Sequence, residues 1–194
     1  MGRAFNAKAK TIGKEKIMAE GRKFIPVNIA VLTVSDSRTL LTDKSGDLLT
    51  QRISDAGHNL IDRLIVQDEQ FKIVEILEHW IANETIDVIV STGGTGLTGR
   101  DVTVESHRQV YDKEIDAFGT VFTYISMAKI GTSAVQSRAC AGVSSGTYLF
   151  ALPGSPSACR DAWDEILSFQ LDYRNMPCNF IEILPRLTES ERRK

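Results

Sequence analysis

Two kinds of apolar segment alternate along this chain. Residues 27–34, VNIAVLTV, form a near-continuous apolar run, the pattern of a strand buried on both faces of a parallel sheet. DKSGDLLTQRISDAGH follows, with Leu49 and Ile53 at helical spacing, Ser45 as the expected N-cap and Gly57 as the stop. Residues 60–66, LIDRLIV, read as a second strand. EQFKIVEILEHWIANE puts Phe71, Val74, Leu77 and Ile81 on one stripe, which predicts an amphipathic helix. IDVIVST is a third strand, as apolar as the first. Beyond it, residues 104–114 are expected to be helical, and VFTYISMAKIG holds another helical segment. RACAGV and TYLFALP, joined by Ser144-Ser145-Gly146, have the composition of a hairpin. SPSACRDAWDEILSFQL closes the pattern as a helix with Cys159, Trp163, Ile166 and Leu167 inward. Strand, helix, strand, helix, strand at these lengths implies right-handed crossovers. The expected class is therefore α/β: three layers, a mostly parallel twisted sheet with helices on both faces.

Composition narrows this picture. A chain of 194 residues, 42% apolar and 25% charged, suits one globular domain with a substantial core. A net charge of -2 gives no reason to expect affinity for nucleic acid or an anionic membrane. No apolar run reaches the length of a bilayer span, and MGRAFNAKAK lacks an apolar secretory core, so a cytoplasmic location is expected. Residues 1–23 read as a basic tail; an organelle-targeting role is disfavoured by Glu15, Glu20 and the shortage of serine. Residues 24–185 form the expected domain and 186–194 a second tail. Three separated cysteines, Cys140, Cys159 and Cys178, suggest reduced thiols, and His58, His79 and His107 have no zinc-ligand spacing. Any ion used here should be a hard one held by oxygen.

In an open parallel sheet, ligands bind beyond the carboxyl ends of the strands. The residues there are Thr33, Ser35, Asp36 and Arg38 after the first strand, and Gln67, Asp68 and Glu69 after the second. STGGTGLTGRDVT follows the third and Pro153-Gly154-Ser155-Pro156 the last. Gly93-Gly94-Thr95-Gly96 can bring backbone N–H groups close to an anion, with the Thr95 hydroxyl as a further donor; it can equally be an ordinary turn. It matches neither the P-loop nor the GxGxxG fingerprint. Asp101 reads as a helix N-cap and Asp68 as a turn residue when each is taken singly. Together on one rim they could hold Mg²⁺ and offset the charge of a triphosphate. Ser155 with Pro156 reads as a helix start and a second anion position.

VLTVSDSR, GGTGLTGRDVTVE, IGTSAVQSRACAGV and LPGSPSACRDAW, in this order, resemble the molybdopterin adenylyltransferases, the MoaB/MogA group related to the G domain of gephyrin. The likeness runs over about residues 24–184. It implies a domain that binds molybdopterin and, with Mg²⁺, transfers the adenylyl group of ATP to the pterin's terminal phosphate. The product accepts molybdenum, or tungsten in some organisms. By position, Asp68 and Asp101 match the family's two functionally important aspartates, which implies catalytic and Mg²⁺-holding roles. Gly93, Gly94, Thr95 and Gly96 match its phosphate loop, Ser35 and Asp36 its first-strand loop, and Pro153, Gly154 and Ser155 its last. The resemblance also implies a homo-oligomer, trimer or hexamer, with the apolar faces around residues 118–130 as partner surface. Ser37 departs from members that carry arginine there. Some members lack an acid at the position of Asp68, and this chain keeps it. Three rivals remain: a binder of pterin or its precursor without turnover, a nucleotide-binding domain unrelated to pterins, and a structural oligomer.

Overall fold

The computed structural model describes residues 18–189; the remainder of the two expected tails, 1–17 and 190–194, lies outside the described residues. Six strands form one sheet: β1 (Asn28–Val34), β2 (Asn59–Val66), β3 (Val88–Thr92), β4 (Lys113–Glu114), β5 (Cys140–Ser144) and β6 (Thr147–Leu152). Their order is β2-β1-β3-β6-β5-β4. The pairs β1–β2, β1–β3 and β3–β6 are parallel, while β5 and β4 run antiparallel to their neighbours. The expected mostly parallel α/β class is what forms.

The unbroken apolar runs have a direct cause. Successive strand residues face opposite sides, and both sides are covered. Ile29 and Val31 of β1 join Val90, Phe150, Leu49, Ile53 and Trp163 in one core. Ala30, Leu32 and Val34 join Ile89, Ile73, Leu77 and Trp80 in the other. The first core lies under α1 (Lys44–Asp55), α4 (Asp116–Ile130) and α5 (Pro156–Ala162); the second lies under α2 (Gln70–Ile81), with α3 (Thr103–Val110) packed beside it. A π turn over Trp163–Leu167 and a last turn over Ser168–Gln170 continue α5, so the long final helix expected from the sequence is present but locally unwound. The hairpin is also present, with Ser145 (φ 45°) and Gly146 (φ 91°) both left-handed, as a tight two-residue turn requires.

Three expectations are corrected. Asp43 caps α1, not Ser45; its side chain accepts from the Gly46 N–H, and Ser45 is buried in the first turn. The inward stripe of α2 is Ile73, Val74, Leu77 and Trp80, leaving Phe71 64% exposed. The helix expected over 104–114 stops at Val110, because Tyr111 turns extended (φ -75°, ψ 132°) and the Asp112 N–H goes to Val143 O, which starts β4. The Tyr111 ring lies against Gly142, where any side chain would collide with it. The helical segment expected within residues 121–131 is present as the later part of α4, which starts at Asp116.

Two further features shape the molecule's margins. At the β2 edge the pairing with β1 slips by one residue, so Ile61 is passed over between Leu60 and Asp62. Asp62 accepts from Trp80 Nε1 (3.1 Å), and Arg63 donates to Asp43 and Asp47, on opposite faces of the sheet. At the chain's start, Met18 bridges to Asn175, and Arg22 donates to Tyr173 O and Glu182.

Asp43 joins these layers. Only 2% exposed, it accepts from Thr33 Oγ1 (2.7 Å), Gly46 N (2.9 Å) and Arg63 Nη2 (2.9 Å). Burial alone would raise its pKa, but those three donors outweigh it and leave the carboxyl below its ordinary value. Its contribution to stability is present above the unfolded carboxyl's pKa of about 3.9 and is lost as pH falls through the folded value. Asp43→Ala should therefore cost about 3 kcal/mol at pH 7 through the lost cap and the unpaired Arg63. Urea unfolding measures this as a lower midpoint, and the gap from wild type should shrink when the titration is repeated below about pH 3.9.

Candidate functional site

Strands β1, β3 and β6 are parallel and end along one edge, at Val34, Thr92 and Leu152. The loops that follow them touch. Thr92 Oγ1 donates to Pro153 O (3.0 Å), and Ser45 Oγ donates to Gly154 O (2.8 Å). Gly154 is so close to Gly93 that a Cβ on it would stand 3.0 Å from the Gly93 Cα. From the second strand, the Asp68 N–H donates to Asp36 Oδ1 (3.2 Å). Segments 35–38, 67–69, 93–101 and 153–156, distant in sequence, thus share one rim. A cleft of about 310 Å³ opens there, lined among others by Ser35, Arg38, Lys44, Ser45, Asp68, Gly93, Gly94 and Gly154.

The glycine loop takes its path because no side chain could. Gly93 (φ 96°) and Gly94 (φ 59°) are left-handed, and a Cβ on Gly94 would strike Asp68 Oδ1 and Thr103 Oγ1. All four loop carbonyls are turned into protein. Thr103 donates Oγ1–H to Gly93 O (2.8 Å) and N–H to Gly94 O (2.9 Å). Arg138 Nε donates to Thr95 O (2.9 Å) and Gly96 O (3.0 Å). Across a trans peptide the N–H points opposite to the carbonyl, so the amides of residues 94–97 face away from these anchors. Thr95 itself is buried.

Three carboxyl groups differ in their partners. Arg100 donates to Asp36 Oδ2 (3.1 Å from Nε, 2.6 Å from Nη2), and this bond holds the Asp36 pKa below its ordinary value. Asp101 Oδ2 accepts from Thr98 N (2.8 Å) and Thr98 Oγ1 (2.6 Å), which likewise lowers its pKa. Asp68 is the reverse case: burial raises its pKa, the charges of Asp36 and Asp101 raise it further, and Arg100 pulls the other way. Its Oδ1 is buried with no hydrogen-bond partner.

The cleft holds some of the expected site residues and not others. Ser35, Asp68, Gly93, Gly94 and Gly154 line it; Asp36, Thr95, Gly96, Asp101, Pro153 and Ser155 lie around it. Asp101 is not a helix cap, since Val102 holds that position with no side-chain bond. Ser155 does cap α5, accepting from Ala158 N (3.2 Å), with Pro156 next. Among the described residues, no three His, Cys, Asp or Glu side chains form a metal-ligand group. Sequence reasoning missed Lys44 in the cleft, Thr103 and Arg138 behind the loop, and the Arg100–Asp36 pair. Asp43-Lys44-Ser45 before an apolar helix carried a usable cap signal. Arg138 carried none beyond being a lone cation among small residues.

Because the folded Asp68 carboxyl binds its proton more tightly than the unfolded one, the fold loses relative stability as pH rises from about 3.9 through the folded pKa. Asp68→Asn should therefore melt at a higher temperature than wild type at pH 7, with the difference gone in acid. Calorimetry across a pH series checks this; an unchanged or lower melting temperature at pH 7 would contradict it.

Residues 30–173 match the family model described as "Probable molybdopterin binding domain". Molybdenum cofactor biosynthesis protein B of Escherichia coli (strain K12) is 46% identical over 158 residues, covering 81% of this chain and 93% of that protein. The protein of the same name from Staphylococcus carnosus (strain TM300) is 41% identical over 150 residues, covering 76% and 88%. A crystal structure of molybdenum cofactor biosynthesis protein B superposes with TM-score 0.75 at 34% identity, covering 89% of this chain and all of that one. The tungsten cofactor synthesizing protein MoaB from Pyrococcus furiosus superposes with TM-score 0.67 at 35% identity, covering 74% and 91%. Matched along most of its length by sequence and by fold, this chain belongs to the molybdopterin-binding MoaB/MogA family of molybdenum cofactor biosynthesis proteins.

Proposed function

We propose that the protein catalyses Mg²⁺-ATP-dependent adenylylation of molybdopterin. The observation that carries this reading is the cleft itself: loop amides, Lys44 and Arg38 lie on one rim with the unpartnered Asp68 oxygen. An oxygen of the pterin's terminal phosphate attacks the α-phosphorus of ATP, forming a new P–O bond as the bond to the β-phosphate oxygen breaks and pyrophosphate leaves. Such a displacement needs in-line placement and charge neutralisation rather than a covalent nucleophile. Lys44, Arg38 and the loop amides supply the electropositive side. The acidic side suits a hard divalent cation: Asp68 offers a desolvated oxygen without a donor, and the charges of Asp36 and Asp101 are close enough to raise its pKa. Asp68 and Asp101 are the residues that would hold Mg²⁺, which neutralises charge on the transferring phosphates when bound. Gly93, Gly94, Thr95 and Gly96 hold phosphate, with Ser35, Asp36, Pro153, Gly154 and Ser155 shaping the walls. The protein works as a homo-oligomer, trimer or hexamer, in the cytoplasm. Supporting the first point, Val121, Tyr124, Met127 and Ile130 of α4 are about half exposed while Phe118 and Phe122 are buried beneath them. No described helix is long and apolar enough to cross a membrane.

Incubation with molybdopterin, ATP and Mg²⁺ should release pyrophosphate. Asp101→Asn should lower turnover by about a thousandfold while largely sparing pterin binding. Pterin binding with no pyrophosphate from the wild-type protein would leave a non-catalytic carrier. Light scattering on the purified protein should give three or six times the mass of one chain.

A further inference from the structure

We propose that Arg138 is a positioning residue for the reaction: it fixes the glycine loop from behind and holds the backbone of Asp101 in the same grip. The inference rests on the adenylylation reading. Arg138 lies between the 3₁₀ turn Gly131–Gln136 and β5, in a part of the chain that lines no wall of the cleft.

Its guanidinium makes two kinds of contact at once. Nε donates to Thr95 O (2.9 Å) and Gly96 O (3.0 Å), while Nη1 and Nη2 donate to Glu105 on α3 (2.5 and 3.2 Å). The same guanidinium also reaches Asp101, Nη2 donating to its carbonyl oxygen (3.5 Å), so the Thr95-Gly96 peptide and the backbone of Asp101 share one anchor. A peptide unit is planar, so fixing the Thr95 and Gly96 carbonyls fixes the stretch of backbone against which the Asp101 carboxylate lies. Asp101 is further fixed by Thr98, and Gly96 sits so close that a Cβ there would stand 2.8 Å from Asp101 Oδ2. The loop's first half needs no such device, since Thr103 on α3 already ties Gly93 and Gly94. Arg138 is the corresponding anchor for the second half. Only a planar guanidinium has the fixed geometry to serve two loop carbonyls from Nε while its other two nitrogens hold a carboxylate. Lysine brings the charge without the fork.

The test compares Arg138→Lys and Glu105→Gln with wild type in the full chain, by pyrophosphate release and by the Gly96 amide resonance in ¹H–¹⁵N NMR. Arg138→Lys should keep cooperative unfolding, lose about a hundredfold in kcat, and shift the Gly96 amide resonance as the loop carbonyls lose their anchor. Its KM for ATP should change far less than its kcat, because the variant misplaces a reacting group rather than removing a binding one. Glu105→Gln, which leaves Nε on both carbonyls, should stay near wild type in both readouts. Wild-type kcat in Arg138→Lys, an unmoved Gly96 amide, or loss of cooperative unfolding in the lysine variant would each overturn the inference. If the wild-type protein releases no pyrophosphate, the adenylylation reading falls, and the Gly96 amide of Arg138→Lys still decides whether this arginine sets the loop.

Discussion

Backbone meets backbone at the carboxyl edge of the sheet, and the rest of the rim is arranged around that meeting. A side chain on Gly93 would collide with Val34 O, and one on Gly154 would press on the Gly93 Cα. The ends of β1, β3 and β6 are therefore joined at a distance that only hydrogen atoms allow. Helices then start from this junction at fixed places: α1 behind Asp43, α3 two residues beyond Asp101, α5 behind Ser155. The two apolar cores hold the strands rigid, so loops with little apolar content of their own keep a defined shape.

Within that frame the acidic groups are unequal by construction. Asp36 and Asp101 are each stabilised as anions by donors from their own surroundings, Arg100 for one and Thr98 for the other. Asp68, between them in charge if not in bonding, is left with a buried oxygen and no donor. Such a group costs stability in the free protein, and a perturbed carboxyl in a cleft is in general a candidate for a functional role. In the reaction proposed above, a phosphate-bearing ligand with its accompanying cation would be the complement of that oxygen.

Much of this was legible in the residues. The central parallel strands β1 and β3 announced themselves because both faces are buried, which removes the polar alternation that makes other strands ambiguous. The hairpin was legible from Ser145-Gly146, and the start of α5 from Ser155-Pro156. Misreadings arose where tertiary contacts overrode local pattern. Phe71 is apolar yet exposed, because Trp80 and Ile73 fill the seam of α2. The residues after Val110 have helical composition, but a ladder partner in β5 draws Lys113 and Glu114 into a strand. At the site, the rim loops were readable from their small and acidic residues. The Arg138 anchor was not, because it reaches the loop only after 42 intervening residues have folded back.

The edge formed by β2 has its own consequence. An eight-residue strand paired on one side only among the described residues, with Leu60, Ile61 and Leu64 exposed on it, would ordinarily invite another chain to extend the sheet. Here the skipped residue at Ile61 kinks the ladder, while Asp62 and Arg63 are committed to Trp80 and to α1 on opposite faces. An incoming strand would find its donors and acceptors out of step after two residues. Open-ended growth into fibrils is thereby opposed at this margin.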